Sequence, residues 1–262
     1  MAFNAVLDTL LTKLPQVRDL IKERDELRET LRRTDYLPVP PTDLMVRVSG
    51  GTQVDKFLGI GRTICGDIMA LINSVDNTKT WMSFKSVLDF GCGCGRVTRF
   101  LPRGMDLTGV DIDSEAIGWC QQNLSSVATF KTNDPEPPLE YPDEKFDLIY
   151  CISVFSHLPL EMERAWLCEL ERVLKPGGWL FISTLSDADL ASGGLSMPND
   201  SGFYCHQSGT TPGLPDFYQL SFHTREYIER EWRKQFDLAL YYPRGINNHQ
   251  DVSILRKRFP SI

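Results

Sequence analysis

Residues 87–95 read Val87-Leu88-Asp89-Phe90-Gly91-Cys92-Gly93-Cys94-Gly95: an apolar run with one carboxylate, then three glycines at alternate positions. The spacing predicts a short buried strand over Ser86–Phe90 and a tight turn after it, with a helix opening over Arg96–Leu101. A glycine-rich turn between strand and helix lets the backbone approach a ligand and presents amide N–H groups to it. In the dinucleotide fingerprint the third glycine falls five residues after the first. Here Arg96 holds that place and Asp89 stands two residues before Gly91. A carboxylate there repels a pyrophosphate and draws an ammonium. S-adenosylmethionine (SAM) carries an ammonium and no phosphate, so the pattern favours SAM over a dinucleotide.

Working outward, a second strand over Leu107–Ile112 ends in Gly109-Val-Asp111-Ile-Asp113. A carboxylate roughly 20 residues past the glycine loop is placed to accept ribose hydroxyls, and Asp111 is assigned that role. Asp113 has two open readings, a ligand contact or the N-cap of the helix Ser114–Leu124. Further strands are expected over Ala128–Thr132, Phe146–Ser153 and Trp179–Leu185, with a helix over Leu160–Leu174. Strand–helix alternation of this kind gives a parallel sheet with helices on both faces. The chain closes with a helix (Arg225–Lys234) and two strands (Asp237–Tyr242, Asp251–Arg256).

Upstream, residues 1–36 read as a helical appendage. Phe3, Leu7, Leu10, Leu14, Val17 and Ile21 form an a/d-type stripe, with Pro15 inside it. The stripe serves either packing on its own domain or a homodimer through these N-terminal helices. Leu37-Pro-Val-Pro-Pro-Thr is a stiff connector, and the main domain is placed at 37–262. A helix from Asp55 to Ile72 precedes the glycine strand. Residues 186–220 are rich in Gly, Pro, Ser and Asp with interspersed aromatics, an insertion expected either to form a lid or to be pinned to the core.

The bulk composition excludes several classes. With 42% hydrophobic and 24% charged residues, the chain has the balance of a globular protein. No apolar run approaches the roughly 20 residues that span a bilayer, and the start lacks the basic and apolar regions of a signal peptide. No membrane partner and a cytoplasmic location are therefore expected. Seven scattered cysteines fit neither a disulfide framework nor a zinc site, so no metal is expected. A net charge of −7 argues against nucleic acid as a partner.

Four blocks in order, VLDFGCGCGRVTRFL, GVDIDSEAI, FDLIYCISVFSHL and RVLKPGGWLFIST, resemble the class I SAM-dependent methyltransferase family across Ser86–Thr184. The resemblance implies a doubly wound, Rossmann-like, seven-stranded and mostly parallel α/β sheet, with SAM as cofactor. It implies that Asp89 orients the methionine end over Gly91, Cys92, Gly93 and Gly95. Asp111 then holds the ribose, Ile112 lies against the adenine, Asn133 and Asp134 reach the adenine amino group, and Cys151 and Ile152 lie beside the methionine chain. Cys151 reads equally as a small buried residue. PPTDLMVRVSGG and NNHQDVSILRK are similar, less specifically, to a bacterial subgroup found beside sugar and natural-product enzymes.

Methyl transfer to a hydroxyl benefits from a general base. His157, just past the fourth strand on the rim where substrates bind in open α/β sheets, is one candidate, and a structural turn histidine is the plainer reading. His206, beside Tyr204, is its rival; His249 is a further rim histidine, and His223 reads as part of the start of the last helix. Arg47 and Arg62 are placed either to reach the SAM carboxylate or to form surface ion pairs. The expected activity is methyl transfer to a small-molecule substrate, most simply at a hydroxyl. Nucleic-acid or protein methylation is the alternative, weakened because Ser153-Val-Phe-Ser-His157 stands where amino-methylating DNA enzymes carry Asn/Asp-Pro-Pro-aromatic. A non-catalytic SAM-binding protein is a third reading.

Overall fold

The computed structural model describes residues 36–207, 209 and 213–260. The appendage stripe, and with it the dimer reading, lies outside the described residues. The chain divides into two units, Met1–Leu37 and Pro38–Ile262, and the second holds every element below.

Its elements in order are α1 (Thr42–Ser49), α2 (Val54–Val75), β1 (Ser86–Phe90), β2 (Asp106–Asp111), α3 (Ser114–Asn123), β3 (Thr129–Thr132), β4 (Phe146–Cys151), α4 (Leu160–Val173), β5 (Leu174–Ser186), α5 (Asp187–Ser192), β6 (Phe203–His206), β7 (Leu220–His223), α6 (Arg225–Glu231), β8 (Phe236–Ile246) and β9 (Gln250–Lys257). The sheet runs β3-β2-β1-β4-β5, with parallel pairing throughout that stretch. β9 then pairs antiparallel with β5, and β8 with β9. Every residue of β1 is buried, as expected of a central parallel strand covered on both faces.

The sheet has nine strands rather than seven. The extra two are β6, inside the insertion, and β7, which begins at the insertion's last residue. β5 runs to Ser186, one residue past its expected end, where Leu185 and Ser186 pair with Phe222 and His223 of β7; β6 pairs antiparallel with β7. Glycines, prolines and serines around these short strands masked their pattern. The helix expected over Arg96–Leu101 shrinks to one 3-10 turn, Thr98–Phe100. Pro102 follows at once, and a proline there forbids a continuing α-helix.

α2 has 22 residues and is long and apolar enough to cross a membrane by length and composition, which corrects the reading that no such run exists. Its apolar stripe is occupied, however: Phe57, Leu58, Ile64, Ile68 and Ile72 are each at most 2% exposed. Ile64, Ile68 and Ile72 pack with Val87, Leu148 and Phe181 from the sheet, as the core helix of a globular domain does.

One buried polar cluster ties the insertion to the frame. Glu163 of α4 is fully buried. It accepts hydrogen bonds from Tyr227 Oη (2.7 Å) and Trp232 Nε1 (2.9 Å) at one oxygen, and from His223 Nε2 (2.6 Å) at the other. α4, β7 and α6 thus share one carboxylate. Glu163→Ala leaves three buried donors without an acceptor, and breaking such a network costs about 3–5 kcal/mol. Urea unfolding is expected to show that loss, with Glu163→Gln losing less.

Candidate active site

A cleft opens at the C-terminal ends of β1, β2 and β4, where ligands enter open α/β sheets. Its floor is the glycine turn. Gly91 has φ +80° and Gly93 φ +52°, backbone that favours glycine. A Cβ on Gly91 would stand 2.2 Å from Val154 Cγ2, and one on Gly93 2.6 Å from Val48 Cγ2. The turn is anchored to β2 by Gly91 N–H and Cys92 N–H donating to Val110 O (2.8 and 3.0 Å). Gly95 does not line the cleft; a Cβ there would meet Leu124 past the end of α3.

Asp111 forms the next part of the wall. Its Oδ2 accepts from Gly93 N–H (2.7 Å) and its Oδ1 from Asp113 N–H (2.9 Å), so the backbone fixes the carboxylate while lone pairs remain for hydroxyl donors. Asp113 caps α3, accepting from Glu115 and Ala116 N–H, and also takes Arg47 Nη1 at 2.9 Å. Arg47 lines the cleft with its charge committed to Asp113 and to Glu115 (2.7 Å). Arg62 sits instead over the Phe100 ring, 5.3 Å from its centroid and away from the cleft.

Asp89 lies deepest, only 2% exposed. Strand register sets Tyr150 of β4 beside it, and Tyr150 Oη (2.7 Å) and Thr98 Oγ1 (2.5 Å) both donate to its Oδ2. Oδ1 is left for the cleft. Burial outweighs these donors and pushes the Asp89 carboxyl up to about 7. Ser153, at the end of β4, has φ +60°, a strained conformation for a serine. It is held there by Ser183 Oγ, which accepts from its N–H (2.9 Å), and by Gln250 Oε1, which accepts from both serine hydroxyls (2.9 and 2.7 Å).

The far wall is aromatic. The His157 and Tyr218 rings stack with centroids 3.9 Å apart, and Trp166, Leu214 and Phe217 join them. His157 Nδ1 lies 3.0 Å from Gln219 O. A carbonyl only accepts, so Nδ1 carries the proton and Nε2 keeps its lone pair. Burial lowers His157 to about 4, so the ring is neutral at pH 7.

Of the residues singled out in the sequence, the cleft wall gathers Asp89, Gly91, Cys92, Gly93, Asp111, Ile112, Asn133, Ile152 and His157. Asp134 is exposed, its peptide oxygen taken by Asn133 Nδ2. Cys151 is buried in the core. His206 lies on β6 against Tyr204 Oη (3.2 Å), His249 is exposed in the β8–β9 turn, and His223 is the partner of Glu163; none lines the cleft. Sequence reasoning missed Tyr150, Thr98, Val48, Trp166 and Leu214. Only Tyr150 carried a usable signal, a hydroxyl within the apolar half of β4, in register with Asp89.

Comparison with known proteins agrees with this geometry. Residues 88–182 match the family model described as "Methyltransferase domain". A ubiquinone biosynthesis O-methyltransferase of Paraburkholderia phymatum is 32% identical over 106 residues, covering 39% of this chain and 45% of that protein. The chain thus spans about half the length of such curated relatives. The PH0226 protein of Pyrococcus horikoshii OT3 shares the fold with TM-score 0.55 at 18% identity, over 74% of this chain and 89% of that one. The glycopeptide N-methyltransferase MtfA, complexed with SAM, does so at TM-score 0.52 and 15% identity, over 74% and 93%. The chain shares the fold of these two solved structures, and residues 88–182 are similar to the methyltransferase domain family.

Asp89 gives a direct pH test. Folded, it holds its proton to about pH 7; unfolded, it releases it near 4. The folded state therefore binds more protons between those values, and its stability falls as pH rises through that window, by at most about 1.4 kcal/mol per pH unit. Asp89→Asn is expected to remove that contribution from urea unfolding measured at pH 4 to 8.

Proposed function

We propose that this chain transfers the methyl group of SAM to a small organic acceptor at a hydroxyl. The observation that carries the reading is a single cleft with a glycine cradle and two carboxylates at one end and a neutral, oriented histidine within an aromatic wall at the other.

The cradle fits the cofactor. Val154 and Val48 pack so closely over Gly91 and Gly93 that no side chain fits there, which keeps the cradle floor bare backbone, and both carboxylates keep acceptor capacity toward the cleft. Asp111 would hold the ribose hydroxyls with Ile112 against the adenine, and Asp89 Oδ1 would face the methionine ammonium. Cys92 and Ile152 would line the remaining path, with Asn133 toward the adenine edge. SAM, when bound, supplies an activated methyl group, so the protein's task is alignment and exclusion of water. Tyr218, Phe217 and Leu214 cover the acceptor end, while Trp166 packs on Phe90 at 4.6 Å between centroids.

His157 is the base. With Nδ1–H held by the Gln219 carbonyl, Nε2 is the atom that accepts the hydroxyl proton as the acceptor oxygen becomes nucleophilic. His206 is set aside because it lies off the cleft wall. The acidic balance, net −7, supports a small molecule over a nucleic acid.

Three measurements test this. Asp111→Ala is expected to weaken S-adenosylhomocysteine (SAH) binding at least tenfold by calorimetry, about 1.4 kcal/mol, whereas unchanged affinity contradicts the ribose assignment. In a screen with labelled SAM and phenolic or sugar hydroxyl acceptors, His157→Ala is expected to lower kcat about 10²–10⁴-fold with SAH affinity kept. His206→Ala should match the wild type. Because His157 stays neutral above pH 5, kcat at saturating cofactor should lack an acid limb near pH 6.5.

A further inference from the structure

Arg96 follows the glycine turn directly and lines the cleft. It is only 9% exposed, and its Nε is buried with no hydrogen-bond partner. Among the described residues no carboxylate pairs with it. Its contrast with Arg47 is informative: Arg47 also lines the cleft but spends its charge on Asp113 and Glu115. A buried guanidinium without a counter-ion is costly, and a fixed fork of donors without acceptors matches a planar carboxylate bidentately.

The surroundings narrow the ligand further. Asp89 is an acid on the same wall and an electrostatic neighbour of Arg96, but its hydrogen bonds come from Thr98 and Tyr150 rather than Arg96. Burial lowers the Arg96 guanidinium below its usual value, with the Asp89, Cys94 and Tyr218 groups as its neighbouring electrostatic partners. Tyr218 belongs to the aromatic wall and stacks on His157, so Arg96 stands where the glycine cradle meets the acceptor end. A phosphate beside Arg96 would lie near the Asp89 carboxyl group, whereas a singly charged carboxylate meets less repulsion.

We propose that Arg96 is a carboxylate-binding residue of the cleft. This rests on the methyltransferase reading above. The carboxylate has two available sources: the methionine end of the cofactor, whose ammonium would face Asp89, or the acceptor, which would then be an organic acid with a flat apolar frame against Tyr218 and Phe217.

Calorimetry on the full chain separates them. For the cofactor source, the wild type binds SAH at least tenfold tighter than its decarboxylated counterpart. Arg96→Met loses that preference and Arg96→Lys retains part of it. For the acceptor source, Arg96→Met leaves both cofactor affinities unchanged. The SAH-loaded wild type then binds 4-hydroxybenzoate at least tenfold tighter than 4-hydroxybenzamide, and Arg96→Met abolishes that difference. The proposal is overturned if the wild type prefers neither carboxylate, an outcome that needs no variant to fold, or if a folded Arg96→Met keeps both preferences. Failure of the wild type to bind either SAH or its decarboxylated counterpart overturns the methyltransferase reading itself, and so is distinct from an Arg96 failure.

Discussion

A carboxylate buried beside the middle of an apolar parallel sheet is expensive, and Asp89 is such a carboxylate. β1 is buried along its whole length, so no water shell reaches the group from the sheet side. Tyr150 from β4 and Thr98 from the turn after the glycine loop are spent on one oxygen. They do not cancel the cost of desolvation, which holds the acid near neutrality. Much of the local architecture follows from this. Register on β4 must bring Tyr150 alongside, and the chain after Gly95 must turn back tightly enough for Thr98 to reach. A cation entering the cleft would complete what the protein leaves incomplete, in the way that binding sites commonly carry polar groups unsatisfied by their own chain.

The same logic runs along the cleft. Asp111 is positioned by two backbone N–H groups and keeps lone pairs for a ligand. Asp113, two residues further along the chain, is used up as a helix cap and as the partner of Arg47. Ser153 is held in left-handed backbone by a three-way contact with Ser183 and Gln250, so β9 braces the end of β4. Glu163 ties the inserted β7 to α4 and α6, which fixes the base of the segment that carries Phe217 and Tyr218. A rigid donor end and an attached acceptor wall are what alignment of a methyl group with a nucleophile requires.

Much of this was legible in the sequence because the relevant signals are local. The glycine spacing around Asp89, the carboxylate ending the next strand and the alternation of apolar runs fix the sheet and its cofactor edge. The strand pair β6–β7 was not legible: four-residue strands among glycines and prolines leave too little periodicity, and their pairing with β5 is a tertiary fact. The choice among histidines was equally hidden, since His157, His206, His223 and His249 differ in where the fold carries them, not in local pattern. Arg96 and Arg47 illustrate the same point. Only the structure distinguishes an arginine ion-paired to Asp43, Asp113 and Glu115 from one that no carboxylate among the described residues pairs with.

In the proposed function a buried Asp89, about half protonated at pH 7, receives the ammonium of the cofactor. That contact is tested most directly by titrating SAH into the protein at pH 7 in two buffers of different ionisation enthalpy. One saturable site with net proton release is expected, the release being reduced in Asp89→Asn. Binding without any buffer dependence, or no binding at all, would contradict it.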